Sequence, residues 1–408
     1  MHNDVSSADA KPAKRPGRRT PVRAIARALA ITLAVGVVAL ANVRDSSGSP
    51  AITVAATPVL GMPASDGMQH LEYDLIVASR VPAPLRLRSV EVLDVDHRSL
   101  LRLDGEKLVA ATQPLDGLTP SSTIPASGSV AVVVDLLVAQ DKIPARLIHR
   151  IAYNRTGAPT THPSTRSINS PELAVDLRSA LLISPPLRGP GWLSANSCCD
   201  AATTHRSGRV IGNKGVPPAK PETFAIDWIQ LHGDQPFTGD GARPQQWYGY
   251  GSDIHAAIGG TVIEVRDGLP DSAPNALPAG IDRADTAGNH VIVQIRPDTW
   301  ALYAHLQPGS LAVAVGDKVA TGQILGKLGN SGNSLAPHLH FGLLDSPHPD
   351  AANSLPFVLD HYIVAETVDR DSYLAAFSGT GPLKLRPHSH PSPQSSTFPL
   401  ILAVTDFS

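Results

Sequence analysis

The segment "NSGNSLAPHLHFGLLD", residues 330–345, sets His338 and His340 two positions apart behind a run of turn formers. In an extended segment residues i and i+2 share a face, so both imidazoles project side by side while Leu339 and Phe341 point into a core. Two imidazoles on one rigid face suit metal ligation or chemistry beside a metal. Taken alone, the pattern also fits two polar residues on a solvated face. A second such pair, His388 and His390 in "RPHSHPSPQSS", serves as a control. Prolines on both sides argue against a sheet there, so that pair is expected to be disordered.

Upstream of residue 330 the chain reads as short strands. "TFAIDWIQL", "GTVIEVRDG", "NHVIVQIRP", "WALYAHL" and "QILGKLG" are apolar runs broken by turn residues. The Pro- and Gly-rich "LLISPPLRGPGWLSANS" marks a boundary before them. Further upstream, "HLEYDLIVAS" and "RLRSVEVLDV" alternate apolar and polar residues, and "SVAVVVDLLV" reads as a buried strand. His97 and His149 lie in this region without neighbours of metal-ligand type and are expected to be structural. The resulting expectation is a mainly β chain: an N-terminal immunoglobulin-like β-sandwich over residues 50–182, a second β-rich domain over 185–365, and a low-complexity tail over 366–408.

Composition agrees with short strands and many turns, with 37 Pro, 33 Gly and only 4% aromatic residues among 408. The formal net charge of -2 gives no sign of a nucleic-acid partner. Cysteine occurs only as the adjacent pair Cys198 and Cys199, which excludes a disulfide framework and a C-x-x-C zinc site. The pair fits a disulfide or two thiols better than a ligand to a metal. At the N-terminus, the basic "KPAKRPGRRTPVR" precedes the uncharged "ALAITLAVGVVALANV" and the triplet Ala39-Leu40-Ala41. Residues 1–45 therefore read as an export signal, with an uncleaved membrane anchor as the alternative. The apolar run is shorter than the roughly 20 residues a membrane span prefers. Either way the bulk of the chain is expected outside the cytoplasm, in the periplasm or cell envelope.

"YAHLQPGSLAVAVGDKVATGQILGKLGNSGNSLAPHLHFGLLD" extends the histidine pair into a longer pattern. In order and spacing it resembles the catalytic half of the lysostaphin-like zinc endopeptidases, which have the duplicated-hybrid-motif fold. The resemblance implies His340 as a zinc ligand and His305 and His338 as catalytic histidines. It implies peptidoglycan peptides as substrate. Tyr303, from the Tyr-x-His motif, and Asn333 and Ser334, before the pair, are candidates for substrate contact or for orienting the histidines.

The family takes its other two ligands from an H-x-x-x-D motif. Asp253 in "YGYGSDIHAAIGGTV" is the quick match, but Gly249 stands where the histidine belongs. "GSDIHAAIGGTV" aligns instead with a later family segment resembling "GTPVYAAADGTV", which puts Asp253 at a turn. Asp227, in the Ala-Ile-Asp of "TFAIDWIQL", then takes the ligand role. A carboxylate interrupting an apolar strand needs a partner, and a metal is one. His205 in "TTHRSGRV" is the expected third ligand, displaced by an insertion over 206–222, with His232 and His255 as alternatives. Arg206 beside it is a candidate to bind a carboxylate or the substrate. A second insertion, between Asp227 and Gly251, is expected to form a lid bearing Trp247 and Tyr248. His290 is expected to be structural. The main rival function is an inactive member of the fold that binds cell wall or activates a hydrolase. A periplasmic scaffold built around the sandwich is a third reading.

Overall fold

The computed structural model describes residues 51–115, 119–156, 165–201, 203–209, 219–276, 278, 280–377 and 381–408. The expected export segment, residues 1–45, lies outside them. Among the described residues no helix is long and apolar enough to cross a membrane. The chain is mainly β, as its sequence implies.

Two antiparallel sheets build the N-terminal half. The first orders Ile52–Ala56, Gln69–Ser79, Ser129–Val138 and Thr112–Pro114, with Leu60–Pro63 also paired to Gln69–Ser79. The second orders Arg166–Asn169, Arg146–Arg155, Leu85–Leu93 and Ser99–Asp104. Leu71, Tyr73, Leu75 and Val77 of the first sheet share one core with Leu87, Val90 and Ile151 of the second. The alternation in "HLEYDLIVAS" produces this, since it sends every second side chain to the core. The other set, His70, Glu72 and Asp74, should then meet water. It does not: Glu72 is 2% and Asp74 1% exposed, because the C-terminal half covers that face.

A single antiparallel sheet organises the second half. Its order is Lys318–Val319, Gly260–Arg266, Asn289–Arg296, Thr299–Leu306, Leu339–Leu344, Ile226–Gln230, Gly189–Asn196, Ala403–Phe407, Tyr362–Val368 and Leu385–Gln394. Ile226, Trp228, Tyr303, Leu339, Phe341 and Leu343 pack into its main core. Period-2 geometry sends Asp227, His340 and Ala304 to the opposite face, and the register sets His340 between Asp227 and Ala304.

Two expectations are corrected here. The tail over 366–408 is folded: Ala403–Phe407 pairs on both sides, with Gly189–Asn196 and Tyr362–Val368. The control pair His388 and His390 lies in strand Leu385–Gln394, opposite Tyr362–Val368. That strand ends the sheet order, and an edge strand tolerates the missing N–H groups of Pro387, Pro391 and Pro393. The boundary between 182 and 185 is also displaced. Strand Leu181–Ile183 runs parallel to Phe357–Leu359 and so belongs with the second half.

Candidate metal centre

Strands Ile226–Gln230 and Leu339–Leu344 carry Asp227 and His340 as direct partners across the ladder. The Asp227 carboxylate stands 2.9 Å from His340 Nδ1, 3.2 Å from His205 Nε2 and 3.3 Å from His338 Nε2. One donor atom each from His205, Asp227 and His340 falls within 4.8 Å of the others, a spacing that could hold a metal ion. His205 arrives from the single-turn helix Thr204–Ser207.

His305 reaches the cluster by a backbone device. Strand alternation alone would send it to the core with Tyr303, which packs 5.1 Å from Phe341. His305 has φ 64°, a left-handed conformation that costs a non-Gly residue energy and that histidine tolerates better than most. The ring thereby joins the histidine face, with its centroid 4.6 Å from His338 and 5.9 Å from His340.

Backbone carbonyls orient three of the four rings. His205 Nδ1 lies 3.1 Å from the Ala225 oxygen, His338 Nδ1 2.7 Å from that of Ala336, and His305 Nδ1 2.8 Å from that of Ser331. In the neutral ring, a donor at Nδ1 leaves Nε2 as the lone pair facing the centre. Ser334 Oγ sits 3.1 Å from His338 Nδ1 and 2.7 Å from Asn330 Oδ1, so Ser334 does back His338.

Electrostatics around Asp227 follow from burial and charge. Burial lowers the His205 pKa, but the Asp227 carboxylate outweighs it and carries the value to about 9. His338 is likewise pulled down by burial and raised overall by Asp227. Burial holds His305 well below the usual histidine value, and the neighbouring His338 and His340 push the same way. Burial also lifts the Tyr373 phenol, with a further contribution from Asp227. That contribution puts a residue of the supposed tail within electrostatic reach of the centre.

Other expected residues are placed elsewhere. Arg206 takes the carboxylate alternative and not the substrate one: it is 0% exposed and bonded to Asp74 and Glu72. Tyr303 is buried, and its hydroxyl accepts the Ala257 N–H at 2.8 Å, a core role rather than a substrate contact. Asn333 does not orient His338 but lines the cleft of about 440 Å³ that opens onto His305 and His340. Asp253 begins strand Asp253–His255, rather than a turn, and pairs with Lys327 at 2.7 Å. His232 is exposed and stacks on Tyr248 at 3.8 Å, and His255 Nδ1 lies 2.9 Å from the Gly322 oxygen. None of the three joins the cluster. Trp247 is buried and donates to the Gly241 carbonyl at 2.9 Å, so it anchors its loop rather than riding a lid. His290 pairs with the Gly288 carbonyl and Glu264. Cys198 and Cys199 form a disulfide.

Asn196, Asn330 and Tyr373 were not foreseen. Asn196 Nδ2 donates to Asp227 Oδ2 at 3.2 Å and to Thr204 Oγ1 at 2.8 Å, bridging two of the ligand-bearing segments. A lone Asn at a strand end carries no pattern that would single it out.

Residues 247–349 match the model of peptidase family M23. Endolysin 2638A of Staphylococcus phage 2638A is 36% identical over 95 residues, which are 22% of this chain and 16% of that protein. This chain therefore spans well under two thirds of that relative's length. Among solved structures, the catalytic domain of lysostaphin from Staphylococcus simulans is 24% identical, covering 30% of this chain and 86% of that one at a TM-score of 0.19. The catalytic domain of EnpA, a prophage-encoded M23 protein from Enterococcus faecalis, is 23% identical, covering 40% and 94% at a TM-score of 0.21. The matched segment contains His305, His338 and His340, while His205 and Asp227 precede it. The likeness to peptidase family M23 thus rests on residues 247–349, about a quarter of the chain.

Proposed function

We propose that this chain is a zinc endopeptidase acting on the peptide cross-links of peptidoglycan, outside the cytoplasm. The observation that carries the proposal is the convergence of His205, Asp227 and His340 beside two further histidines that do not complete the donor set. The fit to zinc rests on the donors themselves. Two imidazoles and one carboxylate form a three-ligand set of the catalytic type, which leaves a position open. Asp227 faces three imidazoles, and its carboxylate would offset half the charge of a dication held there. Zinc, when bound, acts as a Lewis acid that activates water and polarises the scissile carbonyl.

The remaining steps belong to the protein. His338, held by Ala336 and Ser334, presents Nε2 to accept a proton and return it to the leaving amine. His305, kept neutral by burial and donating its Nδ1–H to the Ser331 carbonyl, offers Nε2 as a second proton acceptor beside His338. The cleft over His305 and His340 receives an extended peptide, and Arg283, Asn333 and Asp350 line it. The match to the M23 family model and the likeness to an endolysin support peptidoglycan as substrate. The basic and then apolar N-terminal sequence supports export. Purified peptidoglycan incubated with wild type should release new amino groups. His338→Ala should retain zinc but lose about a hundredfold or more of that activity. Wild type that binds zinc and cell wall yet releases nothing would establish the inactive binding protein instead.

A further inference from the structure

A four-residue helix has too few internal hydrogen bonds to hold its own position, yet Thr204–Ser207 carries one of the three metal-ligand candidates. Its anchorage lies in the next residue. Arg206 is 0% exposed, and among the described residues the partners of its guanidinium all lie in the N-terminal half. Nε donates to the Glu72 carboxylate and Nη1 to Asp74 Oδ1 at 2.9 Å. Nη2 donates to the Tyr73 carbonyl at 3.0 Å and the Val134 carbonyl at 3.1 Å. The planar fork fixes direction as well as distance, so the group is a clamp and not merely a paired charge. Asp74 gathers two more cations from the same stretch of chain. Arg209 Nε reaches it at 3.0 Å and Lys220 Nζ at 2.8 Å, and Lys220 also donates to the Arg206 carbonyl at 3.1 Å.

We propose that Glu72 and Asp74, on strand Gln69–Ser79 of the N-terminal half, are positioning residues for the metal centre, fixing His205 through Arg206. The inference rests on the zinc-centre reading above. The first sheet then completes the site: His205 takes its place relative to Asp227 and His340 from a strand more than a hundred residues earlier. The arrangement also accounts for two buried carboxylates on a sheet face whose sequence alternation calls for water. Asn196 and the Ala225 carbonyl trim the His205 segment from the other side, but neither holds Arg206.

The test uses the full chain and zinc. Arg206→Met combined with Glu72→Gln removes one charge of each sign and leaves Asp74 paired with Arg209 and Lys220. In a variant that retains its near-UV dichroism, zinc affinity measured against a competing chelator should fall about tenfold or more. The surface pair variant Arg146→Ala with Glu172→Ala should leave it unchanged. A folded double variant binding zinc within about twofold of wild type would overturn the proposal. Should that variant not fold, wild type supplies the answer by reciprocity. Zinc should slow hydrogen exchange at Arg206, Ser207, Tyr73 and Asp74 as well as at Asp227 and His340. Protection confined to the strands of Asp227 and His340 would refute the clamp and leave the zinc centre standing. Wild type that takes up no zinc would remove both.

Discussion

At the residue scale, the centre is a carboxylate facing three imidazoles, with a fourth ring turned in by an unusual φ. Ser334 supports one of those rings through hydrogen bonds, so Ser334→Ala should bind zinc like wild type and lose about tenfold to a hundredfold in kcat. Unchanged kcat would show that the Ala336 carbonyl alone holds His338. The sequence discloses some of these residues for a physical reason. His338 and His340 share a face because strands have period 2, and Asp227 stands out as one carboxylate in an apolar strand. The role of Arg206 does not appear there, because its partners Glu72 and Asp74 lie 134 and 132 residues away. Nor does composition show that Tyr303 spends its hydroxyl on the Ala257 amide.

At the scale of elements, the last strand decides more than its composition suggests. Ala403–Phe407 fills the space between Gly189–Asn196 and Tyr362–Val368, and Phe407 packs 5.9 Å from Trp228, next to Asp227 in sequence. Truncation after residue 401 would leave two unpaired strand edges and open that core. The shortened chain should lose its cooperative thermal transition and its zinc. A transition within about 5 °C of the full chain would show the tail to be dispensable. The tail hides from sequence reading because its prolines look like disorder, whereas an edge strand needs only one side of its backbone paired. The short strands around the histidines are legible, since their apolar runs are bounded by Gly, Pro and Asn.

Across the whole molecule, the two halves share a buried charged face, and alternation in the sequence cannot say what covers it. "HLEYDLIVAS" predicts a strand with one charged face; it does not predict that Arg206, Arg209 and Lys220 lie on that face. Stability should therefore depend on pH through the N-terminal half as well. His149 links the two sheets through Tyr73, whose hydroxyl lies 2.8 Å from Nε2, and burial lowers its pKa from 6.5 to about 4. The unfolded chain takes up this proton near 6.5 and the folded chain only near 4. Stability is thus full above 6.5 and falls as pH drops through that window, by an amount on the order of 3 kcal/mol at its lower end. Denaturant unfolding of wild type and His149→Gln at pH 7 and pH 4.5 should show a smaller acid loss in the variant. Equal losses would assign the acid sensitivity to other groups.

The proposed metal site is built from Asp227 with His205 and His340, and not from the nearer-looking Asp253. Zinc content per chain, measured by mass spectrometry of the purified protein, tests it directly. About one zinc per chain is expected in wild type and in Asp253→Ala, and none in Asp227→Ala. Zinc lost in Asp253→Ala and kept in Asp227→Ala would move the site to Asp253.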